Sequence, residues 1–171
     1  MDPFSTLGIS PKFDIDLAAA ERAHRELSRA LHPDRYMAAS ASERRAALAR
    51  AIEVNEAWRV VRDPIRRAEA LLTLLGVSVD DASTRGELPA EFLGQMLELR
   101  EALAEARASR NLGVVRSMAV DVEARARSSE QELASGFANG QAAHLLGALA
   151  ELRFYGRFLD EVGAIEDDLV T

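Results

Sequence analysis

The stretch Asp16–Asp34, DLAAAERAHRELSRALHPD, decides how the first half of this chain folds. On a wheel of about 100° per residue, Leu17, Ala20, His24, Leu27 and Leu31 share one narrow stripe with 3-4-3-4 spacing. That is the pattern of an amphipathic helix with one buried face. Arg22, Arg25 and Arg29 gather on a face roughly opposite and project into solvent. Asp14 or Asp16 can cap the first amides. The helix stops at Leu31, because the residue before Pro33 is pushed out of the α region. His32-Pro33-Asp34 therefore follows directly at the end of a basic ridge.

Working outward, a short turn or helix is expected near Phe4–Leu7. A third helix should run from Ser42 to Val61. Ser42 is the expected N-cap, with a glutamate directly after it that completes no capping box, and the small residues Ala38–Ala41 lie in the loop before it. Asp63-Pro64 opens a further helix to Leu75, with proline at its first position. Two glycines, a proline and short polar residues then break the pattern over residues 76–89. Beyond the break, helices fit Ala90–Ser109, Leu112–Ser135 and Gly140–Leu169, with turns at Asn111 and Gly136–Gly140. Interior glycines at 147, 156 and 163 weaken the last helix locally and leave room for close packing or a kink. No window alternates β-branched residues between turn signals, so strands are not expected. The expected fold is all-α: a helical domain over residues 1–75, a linker over 76–89, and a three-helix bundle over 90–171.

Composition narrows the function classes. There is no cysteine, which excludes disulfides, thiolate metal sites and a catalytic thiol. The N-terminus has neither a basic nor an apolar leader region, and no apolar run reaches the roughly 18–20 residues that span a bilayer. A soluble cytoplasmic protein with no membrane partner is expected. The net charge of −7 is unevenly shared: residues 1–75 carry 12 Lys/Arg against 11 Asp/Glu, residues 76–171 carry 9 against 17. That split fits two surfaces for different partners, and neither half is basic enough for nucleic acid.

The ridge and the turn make sense together as a docking surface. Three guanidiniums present planar donors to a partner's carboxylates. Pro33 restricts the loop, so Asp34 is offered with little ordering entropy left to lose. An aspartate held in this way can pair with a partner arginine. Each feature alone has a plainer reading, since an arginine ridge is ordinarily a solvated helix face.

The second half carries its own surface. In Phe92–Arg107, the residues Phe92, Met96, Leu99 and Leu103 form the natural core stripe. Leu93 and Leu97 lie beside it, bordered by Glu98, Glu101 and Glu105. Either the core stripe is simply broad, or these are apolar anchors with an acidic rim for a partner.

Phe4-Ser5-Thr6-Leu7-Gly8, the basic helix, His32-Pro33-Asp34-Arg35 and Asn55-Glu56-Ala57-Trp58 before Asp63-Pro64 occur in the order and spacing of a J domain, which residues 1–75 resemble. The resemblance implies that His32, Pro33 and Asp34 contact the ATPase domain of a DnaK-type heat-shock chaperone and stimulate ATP hydrolysis. Arg22, Arg25 and Arg29 would support that contact. Glu26 departs from the pattern, because many J domains carry a basic residue there. The continuing helix Arg66-Arg67-Ala68-Glu69-Ala70-Leu71-Leu72 and the segment FLGQMLELREALAE at Phe92–Glu105 extend the likeness over nearly the full length. The whole chain is similar to the HscB family, a J domain plus three-helix bundle dedicated to iron–sulfur cluster assembly. That likeness implies an IscU-type scaffold protein as second partner, held by Leu93, Leu97, Glu98, Glu101, Glu105 and Phe154. Gly94 stands where a larger apolar residue belongs.

Other candidates are weaker. His24 lies on the core stripe and reads as a packed histidine. His144 has no ligand partners at metal spacing. Asp80-Asp81 and Asp167-Asp168 fit neither a calcium loop nor an acid/base pair. No phosphate-binding loop or nucleophile triad is visible, and an enzyme using His32 and Asp34 lacks a second convergent polar group. The expectation is a cofactor-free adaptor, not an enzyme, between an HscA/DnaK-type ATPase and the scaffold. The alternative is a J-protein that recruits a different client through its second domain.

Overall fold

The computed structural model describes residues 2–80, 88–141 and 145–170; Asp81 and His144 lie outside them. Every regular element among the described residues is helical, and the chain divides into two compact units, Met1–Val77 and Ser78–Thr171.

In the first unit, α1 spans Pro3–Leu7. Asp2 Oδ1 accepts from the Phe4 amide at 2.9 Å, and Gly8 closes the helix at φ 69°, a left-handed cap that glycine adopts without steric cost. The helix α2 spans Leu17–Ala30, and of the two expected caps Asp16 is used, accepting from Ala19 at 2.9 Å. The helix α3 spans Ala41–Arg62, and α4 spans Pro64–Leu74, capped by Asp63. Their core comprises Phe4, Leu7, Phe13, Ala20, Val54, Ala57, Val61, Ala68, Leu71 and Leu72. Half-buried Arg67 packs against it, its guanidinium 4.8 Å from the Phe13 ring centroid and its Nη1 donating to the Val61 carbonyl at 2.7 Å.

Two expectations for this unit need correction. The N-cap of α3 is Ser40, not Ser42, and with Glu43 at the third helical position it forms a complete capping box. Starting one serine earlier is favoured because both orphan ends are then satisfied reciprocally. The stripe of α2 is also less buried than its spacing implies. Ala20 is buried, His24, Leu27 and Leu31 are half-buried, and Leu17 is 46 % exposed. Leu17 lines an open depression with Trp58 and Pro64, so the first turn of α2 overhangs the core without entering it.

In the second unit, α5 spans Ala90–Ala108, α6 spans Leu112–Ala138 with Asn111 as its cap, and α7 spans Leu146–Val170. Phe92, Met96, Leu103, Val115, Val122, Tyr155, Phe158, Val162 and Ile165 interdigitate as the core. Buried Ser129 of α6 donates to Glu151 Oε2 of α7 at 3.0 Å, so a polar group inside the bundle has its partner. Asp168 pairs with Arg107 at 2.9 Å, an exposed contact worth little by itself.

The turn expected at Gly136–Gly140 lies further on. Gly136 is inside α6 and buried, and the chain turns at Asn139–Gly140 with Gly140 at φ 70°. The reason is packing: a Cβ on Gly136 would collide with Leu145, which is itself buried. The last helix accordingly begins at Leu146, not Gly140. At Gly163 a Cβ would meet nothing within 4 Å, so no close packing requires that glycine.

Opposite outcomes follow for two helical glycines. Gly136→Ala should destabilise the second unit by about 1–2 kcal/mol, because overpacking outweighs the helix propensity gained. Gly94→Ala, with open space around it, should stabilise by about 0.5–1 kcal/mol. Thermal unfolding of the two variants checks both signs.

Candidate functional site

The His-Pro-Asp turn follows the C-terminus of α2 and begins a 3-10 turn over Pro33–Tyr36. Proline occupies the first position of that turn, where its fixed φ is already suitable and its missing N–H costs nothing. His32 Nδ1 accepts from the Asp34 backbone N–H at 3.4 Å and lies 3.4 Å from Asp34 Oδ2. The two contacts are alternatives: the first needs a bare Nδ1, the second an Nδ1 that carries the proton. Either way the imidazole folds back on its own loop and leaves the carboxylate outward, with the Asp34 side chain 78 % exposed. The Arg35 amide closes the turn on the His32 carbonyl at 3.0 Å.

Arg22, Arg25 and Arg29 are all exposed, so the expected ridge is present on α2. Arg25 is tied along the helix to Glu21. An incoming carboxylate must compete for it, at small cost for an exposed pair. Arg29 lies in the last turn, where a cation complements the partial negative charge of the helix end. Glu26 is exposed as well.

Behind the ridge, the His24 ring stacks on Trp58, centroids 5.3 Å apart and planes 13° from parallel. Its Nε2 also lies 3.0 Å from Asn55 Oδ1. Asn55 and Trp58 thus hold α2 against α3, and His24 is a half-buried structural residue. Among the described residues no cluster of histidine and carboxylate side chains is arranged to hold a metal ion.

On α5 the two faces separate cleanly. Phe92, Met96 and Leu103 are buried and Leu99 packs against them. Leu93 and Leu97 remain 52 % and 60 % exposed, one turn apart. Glu98, Glu101 and Glu105 are exposed beside them, and Gly94 leaves a gap with no atom within 4 Å of a would-be Cβ. Leu93 and Leu97 therefore stand in water beside a filled core. Phe154 of α7 is half-buried, meets Phe92 edge to face at 5.9 Å, and is covered by the Arg100 guanidinium 5.1 Å from its centroid. Its neighbour Tyr155 is buried, and that burial, reinforced by the nearby Glu151 charge, pushes its hydroxyl above the usual tyrosine range.

Arg100 is the residue that pattern reading passes over. It continues the Leu93–Leu97 stripe one turn later, and on a wheel it falls between that pair and the core. The signal was the i, i+4, i+7 spacing, obscured because an arginine there reads as one more surface charge.

Known proteins share this sequence and fold. Residues 88–163 match the family model described as HSCB C-terminal oligomerisation domain. The chain is 33% identical over 168 residues to the co-chaperone protein HscB homolog of Burkholderia multivorans, covering 98% of this chain and 95% of that one. It is 33% identical to the corresponding protein of Neisseria meningitidis serogroup A, covering 93% of each. Among solved structures, the chaperone HscB from Vibrio cholerae superposes with a TM-score of 0.85 at 28% identity, covering 99% of both chains. The human co-chaperone HscB shares the fold, with a TM-score of 0.88 at 23% identity over 96% of this chain and 81% of that one. No helix among the described residues is long and apolar enough to cross a membrane. The chain belongs to the HscB family of co-chaperones.

Proposed function

We propose that this co-chaperone couples two binding events in one chain. The unit with the His-Pro-Asp turn acts as a J domain: Asp34, presented by Pro33 and His32, pairs with a cation on the ATPase domain of an HscA/DnaK-type chaperone and stimulates ATP hydrolysis. Arg22, Arg25 and Arg29 steer and support that contact, their field raising the encounter rate. The α5 face holds an IscU-type iron–sulfur scaffold protein, with Leu93 and Leu97 as anchors, Glu98, Glu101 and Glu105 as an acidic rim, and Phe154 at its edge. Both contacts lie in the cytoplasm.

The observation that carries the reading is the exposed Leu93–Leu97 pair with its glutamates, in a different unit from the exposed Asp34 carboxylate. Both surfaces are exposed on their own units. The test is steady-state ATP turnover by the chaperone with this protein added, with and without scaffold. Stimulation by this protein that rises further when scaffold is present supports the reading; no stimulation in either case refutes it.

Gly94 favours a second reading, in which the same face takes a client of different shape, because the gap removes an apolar contact from the middle of the patch. A pull-down with the full chain that recovers no cluster scaffold would favour this alternative.

A further inference from the structure

We propose that Ser40, Glu43 and Arg44 form a clasp that fixes the far root of the His-Pro-Asp loop, and so act as positioning residues for the chaperone contact. The proposal rests on the J-domain reading of the first unit. It concerns residues that the motif itself does not include.

The loop runs from the end of α2 to the start of α3 and has little apolar burial to hold it. None of the residues of the 3-10 turn is buried, and Met37 just after it is 76 % exposed. Its near root continues the α2 hydrogen-bond ladder, the Leu31 amide donating to the Leu27 carbonyl at 3.0 Å. The far root is held by polar contacts that converge on two consecutive residues. The Ser40 amide donates to Glu43 Oε2 at 2.8 Å, and the Ser40 hydroxyl donates to the same oxygen at 2.7 Å. In return, the Glu43 amide donates to Ser40 Oγ at 3.3 Å. One residue earlier, Arg44 Nη1 donates to the Ala39 carbonyl at 2.7 Å. The hydroxyl and amide of Ser40 hold the Glu43 carboxyl below the usual glutamate range, hydroxyl first, as expected for bonds that favour the charged form.

A helix cap alone would need only the Ser40–Glu43 exchange. The Arg44 bond lies outside the capping box and reaches back into the loop, which distinguishes a clasp on the loop from a cap on α3. Released from it, residues between Asp34 and Ser40 regain backbone freedom that docking must remove again. The consequence falls on affinity for the chaperone, because Asp34 itself is untouched and the docked complex is the same.

The test compares ATPase stimulation across a titration of the full chain for Glu43→Ala, Glu43→Gln and Asp34→Asn. Glu43→Ala should raise the half-maximal concentration by about three- to tenfold with the maximal rate unchanged, the size expected for losing a good cap and its ordering. Glu43→Gln, which keeps an acceptor for the Ser40 amide, should return most of that loss; a role through charge alone would show no rescue. Arg44→Met should also raise the half-maximal concentration while α-helical circular dichroism stays unchanged. Amide hydrogen exchange over residues 35–40 should quicken in Glu43→Ala. If Asp34→Asn is inactive but Glu43→Ala titrates like the natural chain, the clasp proposal is overturned and the chaperone reading stands. If Asp34→Asn stimulates normally, the chaperone reading falls and takes the clasp proposal with it.

Discussion

Replacing Asp34 by Asn is expected to remove stimulation of the chaperone ATPase by tenfold or more while leaving the fold unchanged. The structural half of that expectation follows from exposure. The Asp34 carboxylate is largely solvated and lies 3.4 Å from the His32 ring, so asparagine of the same shape costs the unit little. The functional half follows from charge. A hydrogen bond to a charged group is worth about 1.5–3 kcal/mol, and each 1.4 kcal/mol is about tenfold in an equilibrium. Removing the charge also leaves the partner cation desolvated without a counterpart, which deepens the loss. Circular dichroism and the unfolding midpoint should match those of the natural chain. Full stimulation by the variant would show that the turn is only a helix connection.

Truncating Leu93 and Leu97 together to Ala is expected to weaken scaffold binding by about 10- to 100-fold, at little cost in stability. Full burial of a leucine is worth about 1.5–3 kcal/mol. Each side chain is already about half-covered in the free protein, so roughly 1 kcal/mol per residue remains to be gained on docking. Because the two are one turn apart and share neighbours, their effects need not add strictly. Alanine is the better helix former, and neither leucine belongs to the buried core. Calorimetric titration measures the loss directly, and unchanged affinity would place the scaffold on another face.

Residue by residue, what was legible follows the range of the interaction that decides it. The helix order, a cap at Asp14 or Asp16, the helix start at Asp63-Pro64, the exposed arginines and the Leu93–Leu97 pair beside the core stripe all depend on spacing within one or two turns. The true start of α3 was legible as well: Ser40 and Glu43 stand three apart, the spacing of a capping box. Ser42, two residues on, competes for the same role in the sequence. Gly136 was not legible in that way. Two glycines in five residues read as a turn, and only the close approach of Leu145 shows why one of them is a helical packing position. Leu17 failed for the converse reason, since a wheel assigns a face but not whether the neighbouring helix reaches far enough to cover it. Arg100 required knowing that Phe154 from a helix some 50 residues away lies beneath it.

The most direct test of coupling mixes two defective chains. Chaperone ATP turnover would be measured in the presence of scaffold, with either the natural protein or an equimolar mixture of Asp34→Asn and the Leu93→Ala/Leu97→Ala double variant. Each variant keeps one intact face, so the mixture contains every binding function but never both in one molecule. If the protein works by bringing the scaffold to the chaperone, the mixture should fall well short of the natural chain at the same concentration of intact faces. Equal turnover would contradict the account and show that the two faces act independently.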